Sequence, residues 1–144
     1  MDQDGKNQLG NAVGCLFTTS QDVYQTSGRT DREETALQAE KTTHSYEGSQ
    51  VTNVSFSPAQ DDLTAVKDGA GNAIETRHLE WTYTGADQQD YRGTMYLRVF
   101  TTTHVPVLMR VMYACPAGAY SATELETLMK GTALNDPGPA DMDG

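Results

Sequence analysis

Ala73-Ile74-Glu75-Thr76-Arg77-His78-Leu79-Glu80-Trp81-Thr82-Tyr83-Thr84 is the stretch on which the fold turns. Successive side chains of an extended chain point to opposite faces, so Leu79, Trp81 and Tyr83 share one face and His78, Glu80, Thr82 and Thr84 the other. Such alternation, built from aromatic and β-branched residues, predicts a half-buried strand with Trp81 in the core. Just before it, Asp68-Gly69-Ala70-Gly71-Asn72 offers two glycines for positive φ, which predicts a hairpin joining this strand to Leu63–Lys67.

Working outward, a polar loop from Gly85 to Asp90 leads to a strand over Tyr91–Thr102, and another follows over Val105–Ala114. In the last, Val105, Val107, Met109, Val111 and Tyr113 alternate cleanly. Upstream, Val51–Phe56 is strand-like until Pro58, and Ala12–Thr19 reads as a first strand. Two segments break the period. Thr30 followed by Glu33 has capping-box spacing, predicting a helix over about 31–45. Ser121 or Thr123 caps a second over about 122–130, whose stripe is Leu125, Leu128 and Met129 and whose stop is Gly131. The expected fold is therefore α+β: an antiparallel sheet of five to six strands packed by an early and a C-terminal helix. Residues 1–11 are expected as a polar arm, 12–134 as the single domain and 135–144 as a flexible tail.

Cys15 and Cys115 are the only cysteines, and each lies in a short apolar run. If the two runs neighbour each other, the thiols can pair across 100 residues, which the chain-entropy model values at about 4–5 kcal/mol. Neither has a second Cys or His at ligand spacing, so a zinc site has no basis. Two readings stay open: a disulfide, implying an oxidising compartment, or two buried reduced thiols.

The chain of 144 residues carries a net charge of −10, with no cluster of basic residues. That charge repels phosphate backbones and argues against a nucleic-acid partner. No apolar run approaches the roughly 20 residues of a membrane span, so no direct membrane insertion is expected. Met1-Asp2-Gln3-Asp4-Gly5-Lys6 has no apolar signal region; an extracytoplasmic location would require a signal removed ahead of Met1.

Reactive constellations are sparse. His44, His78 and His104 are dispersed; His78 can reach Glu80 along its strand but is expected on a solvated face, as is His104 at a turn. Glu33-Glu34 and Asp61-Asp62 are likewise expected in solvent, and no nucleophile elbow or glycine-rich phosphate loop occurs. Asp2–Asn7 and Asp141–Gly144 echo calcium-loop fragments without the full ligand set. No cofactor is expected. Asn53-Val54-Ser55 is a glycosylation sequon, inside a predicted strand and relevant only in a eukaryotic secretory route.

The order Trp81-Thr82-Tyr83, Tyr91–Phe100, Val111–Pro116, Tyr120 and a short helix resembles the C-terminal half of PsbP-like domains over about residues 79–134. Such domains occur in bacterial lipoproteins and extracellular parts of membrane proteins; the resemblance implies an extracytoplasmic setting and no site residues. Exposed tyrosines suit contact surfaces, and Tyr91, Tyr96, Phe100 and Tyr113 form the candidate interaction set. The expected function is a non-catalytic binding module for a protein or small-ligand partner, secreted or at a cell surface. The alternatives are a structural subunit of a viral, phage or surface assembly, for which a homo-oligomer is expected, and an enzyme with a dispersed site.

Overall fold

The computed structural model describes residues 6–10, 14–25, 28–44, 51–68, 71–101, 106–130 and 142. The elements in chain order are β1 (Lys6–Gly10), β2 (Leu16–Val23), α1 (Asp31–Thr43), β3 (Thr52–Phe56), β4 (Gln60–Lys67), β5 (Ala73–Thr84), β6 (Asp90–Phe100), β7 (Val107–Pro116), a short 3-10 turn (Ala117–Ala119) and α2 (Ala122–Lys130). The strands form one antiparallel sheet in the order β1-β2-β7-β6-β5-β3, with β4 also paired to β5. The α+β class is as expected, with seven strands among the described residues.

Seven strands occupy six positions. β3 pairs with the second half of β5 (Phe56 opposite Trp81) and β4 with the first half (Gln60 opposite His78). Ser57 N–H donates to Glu80 O at 2.9 Å, and then Pro58, which has no N–H to give, interrupts the edge. β1 falls within the residues expected as a polar arm, and all five of its residues pair in register with β2, Lys6 opposite Ser20 through Gly10 opposite Leu16. Of the tail, Met142 is described. It is buried, and its N–H donates to a Glu75 carboxylate oxygen at 2.9 Å, tying that residue to the domain.

Local signals hold where they were chemically specific. Thr30 caps α1 and Glu33 completes the capping box, while His44 closes the helix. Ser121 Oγ accepts from Glu124 N–H at 3.1 Å, so Ser121 rather than Thr123 caps α2. At the β4–β5 hairpin Gly71 has φ +86, and the Asp68 carboxylate accepts from Asn72 N–H at 2.9 Å. Gly69 and the expected helix stop at Gly131 lie outside the described residues.

The two helices cover opposite faces. On the α1 side Leu79, Trp81, Met95, Leu97, Val99 and Leu108 meet Ala39. Trp81 is 3% exposed and stands opposite Gly93, where an added Cβ would come within 2.5 Å of the indole ring, so the glycine is the seat of the tryptophan. β5 and β6 pair from Thr84/Asp90 to Arg77/Leu97, and α1 supplies partners beyond that point. There Val99 N–H donates to Thr35 Oγ1 at 2.9 Å and Thr101 N–H to Asp31 at 2.8 Å, while Arg98 Nη1 reaches back to Glu75 O on β5 at 2.9 Å. The Arg98–Asp31 ion pair at 2.8 Å closes this junction out of water.

On the α2 side Phe17, Val66, Ile74, Phe100, Met109, Val111 and Tyr113 receive Leu125, Leu128 and Met129. Cys15 and Cys115 belong to this cluster. Their Sγ atoms are 2.06 Å apart and their Cα atoms 4.1 Å, which is disulfide-bonding distance. Leu16 pairs with Ala114, so the bridge fastens the start of β2 to the end of β7. Gly14, at φ +90 against the Pro116 ring, turns the chain into Cys15.

Candidate functional site: an aromatic and polar shelf on the sheet

Beside the α2 core, the same sheet face continues into a polar patch on β5 and β6. Register places His78 opposite Tyr96, Glu80 opposite Thr94 and Thr82 opposite Arg92. Directly opposed residues on one face are near enough to interact, as His78 and Tyr96 do. The His78 and Tyr96 rings stack at 4.3 Å with 6° between their planes. His78 Nε2 lies 2.6 Å from Thr94 Oγ1 and 3.6 Å from Glu80 Oε1. Thr94 donates its own proton to Leu79 O at 3.1 Å, so it accepts from His78, which assigns the proton to Nε2 and leaves Nδ1 as an acceptor.

After β7 the 3-10 turn brings Tyr120 back over the shelf. The Arg92 guanidinium sits 4.1 Å above the Tyr120 ring, a cation–π contact, and Tyr120 packs against Tyr113 at 5.2 Å. Tyr113 O–H donates to Glu124 of α2 at 2.6 Å, tying sheet, turn and helix together. The shelf is half open: Arg92 and Thr82 are exposed, while His78, Glu80, Tyr96 and Tyr120 are partly covered.

Burial sets the proton affinities. It pulls His78 below the usual histidine range, against the opposing pull of Glu80 and Asp62, so the ring is neutral at physiological pH. Burial, with Asp62, Tyr120 and Glu80 nearby, pushes Tyr96 up to about 12. Tyr120 is also raised by burial, with Arg92 acting in the opposite direction. Among the described residues no group of three or more His, Cys, Asp or Glu side chains could hold a metal ion.

The interaction set taken from sequence does not form one surface. Tyr91 is on the α1 side, stacked on Tyr83 at 5.2 Å and donating to Asp87 at 2.6 Å. Phe100 and Tyr113 are on the α2 side but only 3% and 1% exposed, so they are core residues. Of the four, Tyr96 alone belongs to the shelf. Solvent expectations are corrected too. His78 is half-covered because both faces of the sheet are packed, and Glu34 is fully buried, accepting from Tyr24 O–H. Asp61 is exposed as expected, though in β4 rather than a loop, and it binds Arg32 at 2.7 Å and Arg77 at 2.8 Å. His104 lies outside the described residues, as do the side chains of both calcium-like fragments apart from Met142.

Arg92, Thr94 and Tyr120 went unmarked as site residues in the sequence. Only register across β5 and β6 would have found the first two. No family model matches the chain, and comparison with curated proteins finds no match. Among the described residues no helix is long and apolar enough to cross a membrane.

Proposed function

We propose that the chain is a non-catalytic, extracytoplasmic binding module that holds a protein or small-ligand partner on the shelf of His78, Glu80, Arg92, Tyr96 and Tyr120. The observation carrying this reading is the pair of stacked contacts, His78 on Tyr96 and Arg92 on Tyr120. Rings and guanidinium are fixed by sheet register and by Tyr120, yet remain open to contact. Pre-ordered aromatic and arginine side chains lose little entropy on binding and dominate contact energetics. Cysteines at bonding distance support an oxidising compartment, and the PsbP-like resemblance points the same way.

Two competing readings are separable. An enzyme would draw on His78, whose neutral ring and available Nδ1 suit a general base. The hydroxyl beside it, Thr94, is 1% exposed and commits its proton to a backbone carbonyl, so it is a poor nucleophile. A structural subunit of a surface assembly would self-associate into a large closed particle, which light scattering detects.

The test begins with cross-linking in the extracytoplasmic fraction, followed by titration of the purified partner. Arg92→Ala and His78→Gln are expected to weaken binding by about tenfold or more with the melting temperature unchanged. A control substitution at Val23, 81% exposed on β2, should leave affinity intact. Equal weakening by the control, or turnover of a substrate abolished by His78→Gln, overturns the proposal.

A further inference from the structure

The sequon Asn53-Val54-Ser55 stands apart from the shelf, on β3 at the margin of the sheet. A regular strand interior would be a poor setting for a bulky modification, because its backbone and one of its faces are occupied. β3 is different in three respects. Thr52 to Ser55 are all exposed. Asn53 has φ +55, and the register with β5 shifts between Thr52 and Ser55, so the residue sits on a bulge that lifts it out of the ladder. Its amide Nδ2 donates to Thr84 Oγ1 at 3.2 Å, and that one bond uses only one of the two amide protons.

We propose that Asn53 is an N-glycosylation site and that its glycan shields the β3 edge. The inference rests on the extracytoplasmic reading above and specifies a eukaryotic secretory route. In the transfer, Asn53 Nδ2 bonds to the anomeric carbon of a lipid-pyrophosphate-linked oligosaccharide. The bond from that carbon to the pyrophosphate oxygen breaks, the lipid pyrophosphate leaves with the electron pair, and Nδ2 gives up one proton. The second N–H remains and can keep the contact to Thr84.

The site has a physical use. A sheet margin presents unpaired backbone donors and acceptors that invite pairing with another chain, and proteins guard such margins with bulges and bulky or charged groups. On the β4 stretch of this margin Asp61, Asp62, Lys67 and a second register shift already serve. β3 is Thr-Asn-Val-Ser-Phe, without a charge, and Val54 is exposed. A hydrated glycan in the middle of it supplies the missing guard.

The test is secretion of the full chain from eukaryotic cells, followed by intact-mass analysis before and after an amidase that releases N-linked glycans. A single glycan is expected, its release converting Asn53 to Asp. Ser55→Ala should abolish it and Ser55→Thr should keep it, since only the hydroxyl is required. Asn53→Gln should shift the secreted protein toward dimers or higher species in size-exclusion chromatography. A secreted wild-type chain of unmodified mass overturns the site. An unglycosylated variant as monomeric as the wild type overturns the shielding role. Counting free thiols in the same secreted sample tests the compartment reading separately: absence of a glycan with no free thiols sinks the site alone, whereas two free thiols sink the underlying reading.

Discussion

The two faces of the sheet solve different problems with the same strands. Under α1, Leu79, Leu97 and Val99 are wholly buried and Trp81 nearly so, and the margin is closed by the Arg98–Asp31 pair. Under α2, apolar packing covers Ile74, Met109, Val111 and Tyr113, then gives way to the half-open shelf around His78 and Tyr96. A nine-residue helix is too short to cover a face of this size, so part of the sheet is left for polar and aromatic side chains. One face is wholly packed. The other divides between a packed core and a half-open polar shelf, and substitutions should expose that division.

The largest effect belongs to the α1 face. Trp81→Ala should destabilise by about 3–5 kcal/mol, because it empties a large buried volume that Gly93 was shaped to receive. Denaturant unfolding monitored by far-UV circular dichroism measures it. Gly93→Ala should also destabilise, since its new Cβ collides with the indole. A loss below about 1 kcal/mol in Trp81→Ala would mean that the α1 face is not the anchor.

Next comes the bridge on the α2 face. Replacing Cys15 and Cys115 together by Ser should cost about 2–5 kcal/mol, from the loss of a constraint across a separation of 100 residues. Thiol titration of unfolded, unreduced protein should find none. A smaller step on that face is Tyr113→Phe, which removes the 2.6 Å bond to Glu124 and should cost about 1.5–3 kcal/mol. An unchanged unfolding midpoint would show that α2 is held by its apolar stripe alone.

How far the sequence could be read follows the same division. Alternation in β5 and β7 announced strands and a buried Trp81, since period-2 patterning records burial directly. Thr30 and Glu33 announced α1 through a local hydrogen-bond pattern. Glu34 did not announce itself: its burial depends on Tyr24, ten residues away, and on packing against the sheet. β1 was hidden because Lys6-Asn7-Gln8 is polar, and polar residues form edge strands when a neighbour offers backbone partners. The shelf was illegible for a related reason. His78 and Tyr96 are eighteen residues apart in the chain, and only β5–β6 register stacks them. Tyr91 and Tyr96 look equivalent in sequence, yet an odd separation within one strand sends them to opposite faces.

The smallest effect sharpens the comparison most, because it concerns protons on the shelf alone. Burial lowers His78 in the folded protein below its unfolded value of 6.5, so near pH 6 the unfolded chain binds more protons than the folded one. Stability contributed by keeping the ring neutral is therefore complete above about pH 6.5 and declines as pH falls from there toward the folded value. Glu80 and Asp62 oppose burial, which keeps the slope shallow. His78→Gln should keep the hydrogen bond to Thr94 through its amide, remove this part of the slope and leave stability at pH 8 within about 0.5 kcal/mol of the parent. Urea unfolding at intervals from pH 5 to 8 reads it out, with a direct check from the titration of the His78 ring proton by NMR. A ring that titrates above 6.5, or a variant whose slope matches the parent, would mean that the shelf is solvated like an ordinary surface. The α2 face would then have no sheltered polar region to contrast with α1.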